Sequence, residues 1–165
     1  MKLLHLALIW GLISSCGRLD QRPVVSGREG TSMPGINILL TDSISTFSTT
    51  SIREGTPSLL FFFSPTCPFC RIQTKRITAN MDKLKNVTIC MMANTTLKNL
   101  NKFKIEFGLN KYPNVIIGKD SSYSMLEYFE SGKVPFLAIY DHRKILKNTY
   151  LGALSSKQLI AISSY

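Results

Sequence analysis

The sequence predicts an α/β domain, a central mixed β-sheet flanked by helices, with an extra strand region on its N-terminal side. Three observations carry this. Ser58–Phe63 (SLLFFF) and Val87–Ala93 (VTICMMA) are apolar on both strand parities, as strands covered on both sheet faces have to be. Each is followed by a stretch whose apolar residues recur at helical spacing. The chain then closes with two strand-like runs and a helix, the pattern of a hairpin packed at the edge of an α/β sheet.

Taken in order, INILLT (Ile36–Thr41) is a short strand, and the Ser/Thr-rich stretch after it to Ile52 is read as a connection. Arg53-Glu-Gly-Thr-Pro57 makes a turn into SLLFFF. Arg71–Lys85 places Ile72, Ile77, Met81 and Leu84 on one helical side, so a helix starts at the cysteines Cys67 and Cys70. After VTICMMA, Thr95–Leu109 forms a second helix, with Leu97, Leu100, Phe103 and Phe107 on one side and Gly108 as its stop. Val115–Gly118 is a strand and Ser121–Glu130 a short helix. Val134–Asp141 is a strand opening on proline, Lys144–Gly152 its hairpin partner, and the final helix is capped by Ser155 or Ser156.

At 165 residues the chain can bury a core of its own and needs no disulfide framework. Cys16 has a different explanation. Lys2 precedes an apolar run from Leu3 to Ile13, too short for a membrane span, and small residues follow. Leu12-Ile13-Ser14-Ser15-Cys16 resembles a bacterial lipobox, which implies that residues 1–15 are a lipoprotein signal peptide and that Cys16 is lipidated, anchoring the protein to a membrane. Residues 16–35, rich in Gly, Ser, Pro and charge, are read as a flexible tether reaching roughly 23 Å, and residues 36–165 as the domain.

Twenty basic residues against ten acidic give a formal charge of +10. The basic residues are scattered along predicted helices, as at Lys98, Lys102 and Lys104, without an aromatic-interleaved stripe. No nucleic-acid partner is expected; a solvated basic face near lipid headgroups fits better.

The stretch FFFSPTCPFCR, Phe61–Arg71, holds the sharpest signal. A CxxC fits a metal-ligand pair, a structural disulfide or a redox couple. A zinc site would have to recruit Cys90 and His142 from unpatterned positions, so no metal is expected. Cys90, inside an apolar strand, reads as core, and His142 as a solvated turn residue.

A strand leading into Cys67-Pro68-Phe69-Cys70 at the head of a helix, with Val134-Pro135 opening a later strand, resembles the thioredoxin superfamily from about Ile36 to the end. The lipobox, the extra INILLT strand and the form SPTCPFC resemble its TlpA/ResA-type envelope lipoproteins. The resemblance implies a thioredoxin-like fold and a thiol-disulfide oxidoreductase whose only redox group is the Cys67–Cys70 disulfide, with no added cofactor. Protein dithiols and disulfides would be its substrates, a membrane electron donor its source of reducing equivalents, and the bacterial periplasm its location. It further implies a cis Val134–Pro135 bond beside the sulfurs, with Pro135, Val134, Thr66 and Phe69 meeting the substrate.

Physical chemistry points the same way for the sulfurs. Unpaired N–H groups at a helix start stabilise a thiolate, which makes Cys67 the expected nucleophile and Cys70, one turn in, the resolving thiol. Two departures from thioredoxin stand out: Thr66 replaces the tryptophan before the nucleophile, and SLLFFF carries no buried acid. Glu54, Lys133 or water are the candidates for moving the proton. Pro68-Phe69 offers no cation between the cysteines, so the reducing direction is expected. The competing readings are a glutathione-linked, glutaredoxin-like reductase and a non-catalytic binding module with a structural disulfide.

Overall fold

The computed structural model describes residues 20–165, so the signal segment 1–15 and Cys16 lie outside the described residues. Seven strands form one sheet: β1 (Asn37–Leu40), β2 (Thr46–Ser48), β3 (Ser58–Phe62), β4 (Thr88–Ala93), β5 (Val115–Lys119), β6 (Phe136–Tyr140) and β7 (Leu146–Leu151), in the order β2-β1-β5-β4-β3-β6-β7. β3, β4 and β5 run parallel, and β6 and β1 are antiparallel to their neighbours, which makes the sheet mixed as expected. β3 lies between β4 and β6 with all five residues buried, the reason its sequence is apolar on both parities.

Leu59, Phe61 and Phe63 face a core shared with α1 (Pro68–Ala79), α2 (Met81–Leu84), α3 (Leu97–Glu106) and α5 (Ser156–Ala161). Leu60 and Phe62 face the other core, closed by α4 (Ser124–Tyr128), Ile36, Ile38 and Ile52. Among the described residues, α-helices therefore cover both faces unequally: four on one side, one on the other. Thr96 caps α3 by accepting from the Asn99 amide at 3.2 Å, and Gly108, at φ 61°, ends that segment. Ser155 and Gln158 form a capping box at the start of α5.

The structure corrects three expectations. The helix read from Arg71 to Lys85 breaks at Asn80, whose side-chain amide donates to Arg76 O at 2.8 Å and Ser156 Oγ at 3.2 Å. The Ser/Thr-rich connection contains β2, held against β1 by a turn in which Asp42 Oδ1 accepts from the amides of Ile44 and Ser45.

The third correction concerns the tether. From Asp20 onward it lies along β7, where Val24 bridges Thr149 and Ser32 bridges Ile145. Thr149 Oγ1 donates to Val24 O at 2.7 Å, Gln158 exchanges bonds with the main chain of Gln21 at 2.9 and 2.7 Å, and Ser155 Oγ donates to Asp20 at 2.6 Å. The physical cause is that β7 would otherwise present an open edge of unpaired main-chain groups.

Gly118 marks where β1 presses on β5. A methyl group there would stand 2.8 Å from Leu39 O and 2.9 Å from Ile38 Cδ1. Gly118→Ala should therefore lower stability by about 1–3 kcal/mol, read as a fall in urea midpoint without a change in slope.

Candidate functional site

β3 hands the chain to a short loop whose first link, the Phe63 amide, still bonds Met92 O at 2.9 Å. The loop then turns, with Cys67 N donating to Ser64 O at 3.1 Å. Cys67 is the N-cap of α1 in extended conformation (φ −71°, ψ 121°), Pro68 occupies the first helical position, and Arg71 N closes the first turn onto Cys67 O at 3.1 Å. No side chain caps this helix start. The first-turn amides are thus left without a side-chain partner at the residue that carries the Cys67 thiol.

The two thiols differ sharply. Cys67 is half-buried, whereas Cys70 is wholly buried in the core under α1. Both are free thiols. Burial pushes the Cys70 pKa up to about 12, opposed by a main-chain hydrogen bond at Ser64 and reinforced by a hydrogen bond with the Cys67 side chain.

Pro135 is buried and the Val134–Pro135 bond is cis. Pro135 O accepts from Gly152 N at 2.9 Å, while the main-chain N–H and C=O of Val134 have no hydrogen-bond partner among the described residues. Register places this pair at the sulfur end of the sheet, since Phe136 stands opposite Phe62, the last residue of β3. Thr66 is exposed, its hydroxyl 3.1 Å from Ser64 Oγ, and Phe69 is 62% exposed. Cys67, Cys70, Val134, Pro135, Thr66 and Phe69 thus gather at one end.

Other candidates do not join them. Glu54 lies in the loop before β3, at the opposite end, close to His142 through the bond from Gly55 N to His142 O at 2.8 Å. It is too far from Cys70 to take its proton. Lys133 is exposed on the loop entering Val134. Cys90 is buried in the second core, its pKa pushed up to about 12 by burial, and His142 is exposed at the far end.

Sequence reasoning missed three neighbours of the site. Arg71 donates to Pro65 O at 3.2 Å, pairs with Glu106, and lies over Phe107 at 5.1 Å, so it ties the cysteine loop to α3. Only its place directly after the CxxC could have drawn attention to it. Tyr123, 49% exposed, sits at φ 54° with its ring 6.1 Å from Phe62. The buried Asp120 holds that turn by accepting from the amides of Ser124 and Met125 at 2.9 and 3.0 Å. Gln73, one turn beyond Cys70, accepts at Oε1 from Leu154 N at 2.6 Å, and its Nε2 has no partner among the described residues.

No protein-family model matches the sequence, and no curated relative does. Solved structures do match. A secreted Mycobacterium tuberculosis disulfide oxidoreductase homologous to E. coli DsbE superposes with a TM-score of 0.67 at 17% identity, over 79% of this chain and 95% of its own. A thioredoxin-like protein from Aeropyrum pernix gives 0.63 at 16%, over 78% and 87%. StoA from Bacillus subtilis gives 0.59 at 16%, over 79% and 98%. The fold is thioredoxin-like. In this thioredoxin-like domain β3, the CxxC helix start and the strand opened by Pro135 share one end of the sheet, and β1, β2 and the docked N-terminal segment are added around them.

The difference between the thiols is measurable. With pKa values near 12, Cys70 and Cys90 are thiolates in only about one molecule in ten thousand at pH 8. Among Cys67, Cys70 and Cys90 of the reduced protein, iodoacetamide at pH 7–8 should label Cys67 alone. Modification of Cys70 should rise only as the pH climbs toward 12. Equal adducts on Cys67, Cys70 and Cys90 at neutral pH would contradict this geometry.

Proposed function

We propose that the protein is a thiol-disulfide oxidoreductase acting on protein substrates in the reducing direction. The observation that carries the reading is the pairing of a half-exposed Cys67 at an uncapped helix start with a buried Cys70 one turn into the same helix. Cys67 thiolate attacks a substrate disulfide, forming the mixed disulfide and releasing one substrate thiolate. Cys70 then loses its proton and attacks the Cys67 sulfur. The second substrate sulfur departs, the substrate has gained two electrons, and the protein is left with the Cys67–Cys70 disulfide. The free main-chain groups of Val134 suit an extended substrate segment pairing as a short β-ladder, with Pro135, Thr66 and Phe69 alongside.

The reducing direction follows from charge. Strong oxidants of this chemistry gain their potential by stabilising the reduced form. Pro68-Phe69 supplies no cation, and the Arg71 guanidinium is engaged by Glu106. A potential near −270 mV, about that of thioredoxin, is expected rather than about −120 mV. Equilibration with glutathione buffers measures it, and a value above about −160 mV would reverse the proposed direction.

The wider setting belongs to the same proposal: a TlpA/ResA-type envelope lipoprotein, anchored through Cys16, facing the periplasm and re-reduced by a membrane electron donor. Its support is the lipobox-like LISSC and the likeness of the fold to a secreted disulfide oxidoreductase.

Insulin reduction with dithiothreitol tests the activity. Cys67→Ser should abolish it, and Cys70→Ser should accumulate mixed disulfides with substrate. Unchanged turnover in Cys67→Ser would end the proposal, and turnover only with glutathione would reassign the reductant.

A further inference from the structure

We propose that the docked N-terminal segment holds the Cys67 end of the domain against a lipid bilayer, so that its partners are polypeptides presenting cysteines at a membrane surface. This deepens the proposed function and rests on it, together with the reading of Cys16 as the anchored residue.

The argument starts from register. Phe62 of β3 faces Phe136 of β6, and Phe136 faces Leu151 of β7, so these residues form one row across the sheet at the Cys67 end. Gly152, the next residue, donates its amide to Pro135 O at 2.9 Å and lies against the Gln21 side chain. Gln21 is pinned by both its main-chain groups to Gln158, and Asp20 to Ser155, at the start of α5. The chain therefore enters the described domain at the Cys67 rim. Ser32, further along, has already descended to Ile145 at the far end of β7.

Magnitudes decide the orientation. Gln21 lies three strand spacings, about 14 Å, to the side of β3. Cys16 precedes Asp20 by four residues, at most about 14 Å of extended chain. The far pole, where Gly55 meets His142, is a further strand length away, about 17 Å for the five residues of β3. An anchor at Cys16 can thus bring the rim to the bilayer, but it cannot bring the far pole there unless the segment peels off β7. Charge alone does not choose, because exposed Arg22, Lys133 and Lys157 near the rim are matched by Arg53 and Arg143 at the far pole. The rim also carries Asp20, engaged by Ser155, and exposed Glu130. The attachment point chooses, and the basic rim residues then suit anionic headgroups. Exposed Phe69 and Val25 add apolar side chains at the same end.

Fluorescence quenching tests this on a chain whose residues 1–16 are replaced by six histidines, held on nickel-chelating lipid in vesicles of phosphatidylethanolamine and phosphatidylglycerol. One probe is placed on Cys67, and a second on Glu54→Cys in the Cys67→Ser background. Nitroxide headgroup lipids should quench the Cys67 probe several-fold more than the residue 54 probe. A flexible Gly-Ser insertion of about ten residues between Leu19 and Asp20 should erase that difference. Equal quenching in the uninterrupted chain, stronger quenching at residue 54, or a difference that survives the insertion would overturn the proposal. The histidine anchor makes the result independent of acylation, which is read separately from the mass of the cell-made protein, and insulin reduction scores the redox reading by itself.

Discussion

β3 is the constraint on which the rest depends. With β4 hydrogen-bonded on one edge, β6 on the other and a core against each face, its five residues have one register and no freedom at the end. The chain leaving Phe62 has to turn within a few residues to cover the face it has just left, and Pro65, Pro68 and the Cys67 N-cap accomplish that. One consequence is the unequal environment of the two sulfurs. Cys67 is at the rim because it is the first residue of the turn into α1, and Cys70 is in the core because three residues later the helix presents its inner face.

The same register brings Pro135 to the end of the sheet where the cysteines lie. β6 pairs with β3 residue for residue, so the residue before Phe136 arrives beside the residue after Phe62 without any further device. β7 then repeats the row with Leu151, and the docked segment extends it with Gln21. A site assembled from residues 66, 70 and 135 is thus set by backbone pairing far more than by side-chain contacts around it. Arg71 is the exception, since its ties to Pro65 and Glu106 fix the loop directly.

What could be read in the sequence was local. SLLFFF and VTICMMA announce doubly covered strands, Ser155 or Ser156 announces a cap, and CPFC before a helical pattern announces the site. The pieces that escaped have distant partners. Val24 and Ser32 show no period because they contribute single bridges to β7, more than a hundred residues away. β2 is three residues long and mostly polar, and Asn80 breaks a helix through a bond to Ser156 that no spacing rule encodes. Glu106 and Tyr123 reach the site from α3 and from the loop after β5, and nothing in their own neighbourhoods marks them.

The missing acid in β3 bears on how the proposed reaction handles its proton. Cys70 is held as a thiol by burial, and β3 offers only Ser58 as a polar side chain, at its far end. Glu54 is at that far end too, and Gln73 can donate a hydrogen bond but cannot take up a proton. Yet resolution of a mixed disulfide creates a base as it proceeds, because the substrate sulfur leaves as a thiolate next to the attacking thiol. The proton lost by Cys70 can pass to that sulfur, directly or through a water at the half-open Cys67 rim, so the step balances without a protein carboxylate. What the acid would otherwise supply is speed, by accepting the Cys70 proton as the thiol attacks. A domain lacking it has to compensate by positioning, and its resolving step should be more sensitive than thioredoxin's to how tightly the substrate is held against Val134 and Pro135.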